Sequence, residues 1–161
     1  MTTFLRRGLF LTLALALLGG AGCAKKTDES TPSDELALTA QEQQAARQIS
    51  DGVVYFEYDR YDLKSESKAV LTKNAPVIKQ YPGLRVTIEG HCDERGTEEY
   101  NLALGERRAR AAYEFLLSLG VSPGQLEMIS YGKLHPAVEG HNESAWAKNR
   151  RDEFRVFKPR R

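Results

Sequence analysis

From Val53 onward the apolar residues change period repeatedly, between the two of a strand and the 3.6 of a helix, and this alternation restricts the fold most. Val53 to Tyr58 is a β-branched and aromatic run that reads as a strand. Leu63 to Tyr81 places Val70, Leu71, Val77 and Ile78 at helical spacing, with Ser65 as a candidate N-cap; Pro76 is expected to kink this helix, and Pro82 with Gly83 to end it. Leu84, Val86 and Ile88 then alternate with Arg85, Thr87 and Glu89, the pattern of a strand with one buried face. Thr97 caps a long helix that runs through Leu119 to Gly120, with Leu102, Ala109, Ala112, Leu116 and Leu119 as its packing face. Leu126 to Tyr131 reads as a strand, 142–150 as a short helix and Glu153 to Phe157 as a last strand. The order βαβαβ(α)β predicts an α/β domain, an α+β sandwich with helices on one face of the sheet.

The chain has 161 residues, room for one ordinary domain plus appendages. Residues 1–22 carry Arg6 and Arg7, an apolar stretch from Gly8 to Leu18, then small residues, the layout of an export signal. The run from Gly8 to Gly22 is 15 residues, short of the roughly 20 that span a bilayer. Cys23, directly after Gly20, Ala21 and Gly22, resembles the lipidation box of bacterial lipoproteins. That resemblance implies an N-acyl and S-diacylglycerol lipid on Cys23, enough acyl chain for durable anchoring. Ala24, in place of Asp, implies passage to the outer membrane. Residues 24–38 are too polar to fold alone, and Gln41 to Gln48 offers a short helix with too few apolar positions for a core face. Residues 23–51 are therefore read as lipidated cysteine and flexible tether, and 52–161 as the domain. The net charge of +1 becomes −1 once Arg6 and Arg7 leave with the signal. A neutral domain has no global field to gather nucleic acid, which is not expected as a partner.

The densest chemistry lies in GHCDERGTEEYNLALGERRA, Gly90 to Ala109. A strand ends, a loop carries His91, Cys92, Asp93, Glu94 and Arg95, Gly96 turns the chain, and a helix opens at Thr97. Free N–H groups at the helix start favour a carboxylate. Asn101, Leu104 and Arg108 share one helical stripe about 10 Å long, so Asp93 and Arg108 are expected to give one cleft a negative and a positive end. Such a cleft suits a ligand that carries both an ammonium and a carboxylate.

This stretch, together with VYFEYDRYDL (Val54 to Leu63) and SYGKLHPAVEGHNESAWAKNRR (Ser130 to Arg151), resembles the OmpA-like peptidoglycan-binding domains, and among them the membrane-anchored lipoproteins. The resemblance implies a four-stranded mixed sheet covered by helices on one face. It implies a non-catalytic binder of peptidoglycan, read through the meso-diaminopimelate of its stem peptide. Asp93 matches the carboxylate that pairs with the ligand's ammonium, and Arg108 the arginine that clamps its carboxylate, through a two-point fork that lysine lacks. Asn101, Leu104, Tyr58 and Asp59 fall where the family lines the same groove, and Thr97 mainly caps the helix. The family further implies TolB and the Tol system as partners in envelope constriction at division. Replacing Asp93 or Arg108 by alanine is expected to abolish binding with little change in melting.

Two other classes remain open on the sequence. A wall hydrolase would use Asp93 and Glu94, although neighbours in one loop are not the opposed pair that glycoside cleavage needs. A related domain without TolB contact, such as a motor stator, would keep the peptidoglycan site. No metal or nucleophile site is expected from His91, Cys92, His135 and His141, because adjacent residues at a strand end point to opposite sides. Trp146 is read as core or edge packing. The basic tail of Arg155, Lys158, Arg160 and Arg161 is read as a solvated face or a contact to acidic glycan or lipid.

Overall fold

The structure is a computed structural model and describes residues 36–160. The export signal, Cys23 and the first part of the expected tether lie outside the described residues. The elements are α1 (Ala40–Ser50), β1 (Val54–Tyr55), α2 (Ser65–Gln80), β2 (Arg85–His91), α3 (Glu98–Ser118), a 3-10 turn (Pro123–Gln125), β3 (Leu126–Gly132), α4 (Glu143–Asn149) and β4 (Arg151–Phe157). The sheet order is β1-β4-β2-β3, with β2 and β3 parallel and β4 antiparallel to both of its neighbours. The fold is α/β with a mixed four-stranded sheet, as the alternation and the resemblance require.

The period of two along β2 sorts the faces. Val86 and Ile88, with Val54, Leu126 and Phe154, meet Ile49 of α1, Leu71, Ala75 and Ile78 of α2, and Ala109, Ala112 and Leu116 of α3 in one core. Each large aliphatic buried here contributes about 1.5–3 kcal/mol. The opposite face carries Glu89, Ile129, Glu153 and Arg155, half-buried or exposed. Two glycines set how closely α3 approaches: a Cβ on Gly90 would lie 2.1 Å from the Gly105 carbonyl oxygen. That contact sinks α3 onto the end of β2 and carries Leu104 and Arg108 to the first loop residues.

Several boundaries differ from the sequence reading. The helix read over 41–48 does bury a face: Ala45 and Ile49 are buried, and Ser50 Oγ donates to the Phe154 carbonyl at 2.7 Å. Ile49, the residue that docks it, lies just past that window. A capping box between Thr39 and Glu42 starts the helix. The folded part thus begins before residue 52, and the tether expected over 23–51 is shorter at its C-terminal end. The first strand is only Val54–Tyr55, because the chain then leaves the sheet and turns at Asp59, whose φ is 55°. Ser65 is the first helical residue, not the cap, and α2 continues past Pro76. β2 and β4 run further than their apolar alternation, since ladder pairing carries through Gly90 and Asp152.

Candidate binding cavity

Because β4 runs antiparallel between β1 and β2, the end of β1, the end of β2 and the start of β4 meet at one edge of the sheet. There the Tyr58–Asp59 turn, the 92–97 loop and the first turns of α3 enclose a cavity of about 400 Å³. Asp93, Arg108, Asn101, Leu104, Asp59, Tyr58 and Thr97, which the sequence singled out, all line it, with Cys92, Arg95, Gly96 and Tyr100.

Asp93 is 4% exposed, and its acceptor sites are filled. Oδ1 accepts from the Arg95 backbone N–H at 3.2 Å and from Arg95 Nε at 3.0 Å. Oδ2 accepts from Arg95 Nη2 at 2.6 Å and from Arg150 Nη1 at 3.3 Å. A carboxylate offers about four lone-pair positions, so none is left over. Burial pulls the Asp93 carboxyl upward, but hydrogen bonds and charge from Arg95, with help from Arg150, outweigh it and hold it below its ordinary value. The Arg95 guanidinium lies over the Tyr58 ring at 3.9 Å and over the Trp146 ring at 4.1 Å.

Arg108 is 0% exposed. Nε donates to the Arg60 carbonyl at 2.9 Å, Nη1 to the His91 carbonyl at 2.8 Å and to Cys92 Sγ at 3.4 Å, and Nη2 to the Glu57 carbonyl at 3.1 Å. These bonds use four of the five guanidinium hydrogens and leave one on Nη2, so the two-point clamp expected from the sequence is not preformed. None of the four goes to a carboxylate. Burial lowers the Arg108 pKa from its ordinary value, yet an arginine stays charged. Asp152, also 0% exposed, lies in the same interior, and burial pushes its carboxyl well above 3.8. Against the expectation that Arg108→Ala spares the fold, this side chain ties the 57–60 turn and the end of β2 to α3.

Asn101 Nδ2 donates to the carbonyls of Arg95 at 2.8 Å and Thr97 at 2.9 Å, latching the loop to α3. Thr97 Oγ1 accepts from the Tyr100 N–H at 3.2 Å, the capping role expected of it. Tyr100 Oη donates to Asp59 Oδ1. Glu94 turns outside the cavity, accepting from Trp146 Nε1 at 2.8 Å and meeting His141 Nδ1 at 2.7 Å, contacts that hold its pKa below the ordinary value. Asp93 and Glu94 therefore face different partners, and neither is raised as a general acid would be. Cys92 is buried, and burial pushes its thiol up to about 11, too high to supply a nucleophilic thiolate at neutral pH. His91 lies on the other side of the strand, and burial, with Arg151 beside it, lowers it to about 4.

Sequence reasoning missed Arg95 and Arg150 and gave Trp146 only a packing role. The loop motif contained Arg95 all along; its fork onto a carboxylate two residues away needed the Gly96 turn, φ 88°. Arg150 stands 57 residues from Asp93, and the β2–β4 pairing brings it near.

A family model described as the OmpA family matches residues 55–150. The peptidoglycan-associated lipoprotein of Pseudomonas aeruginosa is 43% identical over 94% of this chain and 98% of its own length. The protein of the same name from Pasteurella multocida is 40% identical over 91% of this chain and 95% of its own. The crystal structure of the peptidoglycan-associated lipoprotein from Burkholderia pseudomallei superposes with a TM-score of 0.63 at 43% identity, over 65% of this chain and 88% of that one. The C-terminal domain of Helicobacter pylori MotB shares the fold at a TM-score of 0.61 and 23% identity, over 65% and 82%.

Proposed function

The chain belongs to the OmpA family, alongside its peptidoglycan-associated lipoproteins, and from that premise we propose that it is an outer-membrane lipoprotein that holds peptidoglycan non-covalently through the diaminopimelate of the stem peptide. It is a binding protein and not an enzyme. The observation that carries the reading is the cavity: one buried carboxylate, one buried guanidinium and the open start of α3 bound the same 400 Å³.

The two charges act differently. The stem peptide's ammonium replaces Arg95 on Asp93, because no lone pair there is otherwise open. Arg95 moves outward along the Tyr58 and Trp146 rings, which keep it solvated by π-faces. The ligand's carboxylate enters the positive field of Arg108 and takes the first amides of α3. Exchange of one cation for another on Asp93 keeps the affinity of one site modest. A lipid on Cys23 and many wall sites convert modest affinity into firm attachment through effective concentration.

The same reading places the protein in the periplasm, with TolB and the Tol system as partners in envelope constriction during division. If TolB covers the mouth of this cavity, wall-bound and TolB-bound pools exchange by competition. Incubation with purified peptidoglycan tests the reading. Co-sedimentation with no soluble fragments released is expected, and lost in Asp93→Ala; release of fragments, or a pellet fraction unaffected by Asp93→Ala, overturns it.

A further inference from the structure

On the open face of the sheet three side chains converge that the peptidoglycan reading does not use. Glu89 and His91 stand two residues apart on β2 and so share that face, and Glu153 on β4 pairs directly across from Glu89. One donor atom of each lies within 4.8 Å of the other two. His91 is 2% exposed, and neither of its ring nitrogens has a hydrogen-bond partner, although buried polar nitrogens are almost always partnered. Tyr131 stacks on the imidazole at 5.5 Å and is itself backed by His135 at 4.3 Å, which fixes the ring plane.

We propose that Glu89, His91 and Glu153 form a site for a divalent first-row metal ion, with Zn²⁺ as the reference ion. One imidazole nitrogen beside two carboxylates is a donor set such ions accept, whereas Mg²⁺ and Ca²⁺ favour oxygen alone. Donors about 2.1 Å from a tetrahedral ion lie roughly 3.4 Å from one another, so the set closes by at most about 1.4 Å. Glu153, with a side chain 42% exposed, has room to make that move. A cation there gives the unpartnered imidazole a partner. Arg151, 2.6 Å from Glu153 Oε1, and Arg155, 3.5 Å from Glu89 Oε1, orient the carboxylates from outside and also lower the affinity by their charge. The sequence reading set His91 aside because Cys92 points the other way; its partners come from its own strand and from β4. The site stands independently of the peptidoglycan reading, though the His91 carbonyl is an anchor of Arg108.

Calorimetric titration of the purified full-length protein with Zn²⁺ alone is the test, followed by Co²⁺ spectra. One ion per chain is expected, with d–d bands and no thiolate charge-transfer band. Glu89→Gln and Glu153→Gln each weaken binding by about tenfold or more. His141→Gln, which removes the exposed imidazole beside Glu94, leaves it unchanged. In the wild-type protein the His91 ring nitrogen resonances shift on addition of Zn²⁺, a readout that needs no variant to fold. A His91 signal that does not move, a stoichiometry of zero, or binding that survives both glutamine variants overturns the site.

Discussion

Asp93 and Arg108 bound one cavity with opposite charges, yet the protein holds them in opposite ways. Asp93 is satisfied by side chains, chiefly the fork of Arg95, which is itself part exposed and lies over two aromatic rings. Arg108 is satisfied by backbone carbonyls from residues 57, 60 and 91 and has no exposed surface. One pole is thus held by a part-exposed side chain and the other by the backbone. Charge that lines a cavity need not be free charge: the anion is paired with a part-exposed cation that, on the proposed function, a ligand's ammonium would replace, and the cation is built into the floor.

Arg108→Ala gives the largest expected effect. It strands the buried His91 carbonyl and the part-buried carbonyls of Glu57 and Arg60, and costs about 3 kcal/mol in urea unfolding, besides removing peptidoglycan binding. An unfolding midpoint equal to wild type would erase the distinction between the poles. Asp93→Ala abolishes binding too, at a cost of only about 1–2 kcal/mol, because Arg150 keeps the Phe56 carbonyl at 3.1 Å and Glu143 at 2.6 Å. A stability loss as large as that of Arg108→Ala would show that Asp93 is architecture as well.

Arg95→Gln sharpens the comparison in the other direction. With the competing cation gone, stem-peptide affinity rises severalfold, read by calorimetry. Weaker binding in this variant would mean that Arg95 touches the ligand instead of making way for it.

The smallest expected effect concerns Asp152, behind the fixed pole. Its folded pKa lies above the ordinary 3.8, so the unfolded chain ionises first, and the wild-type protein loses stability as pH rises from about 4 toward the folded value. Asp152→Asn removes that loss. Its stability relative to wild type should therefore grow as pH rises above about 4, and a difference that stays constant as pH rises would mean that Asp152 has no raised pKa in the folded protein.

Much of this was legible in the sequence. The period of two over Leu84 to Glu89 and the cap at Thr97 located β2 and α3, and one motif, Gly90 to Ala109, held nine of the eleven cavity residues. What was not legible depends on long-range pairing. Arg150 reaches Asp93 only because β4 pairs antiparallel with β2, and Glu153 reaches His91 by the same pairing. The depth of Arg108 was also hidden, since it follows from the Gly90–Gly105 approach between strand and helix. Ile49 escaped because a single apolar residue at a helix end makes no periodic signal.

The central claim is that the cavity reads a zwitterionic side-chain end. Sedimentation of the wild-type protein with cell walls containing diaminopimelate, against walls with lysine at the same stem position, tests it most directly. Lysine keeps the ammonium but lacks the second carboxylate, so the account predicts pelleting with diaminopimelate walls and little with lysine walls. Equal pelleting with both would contradict it.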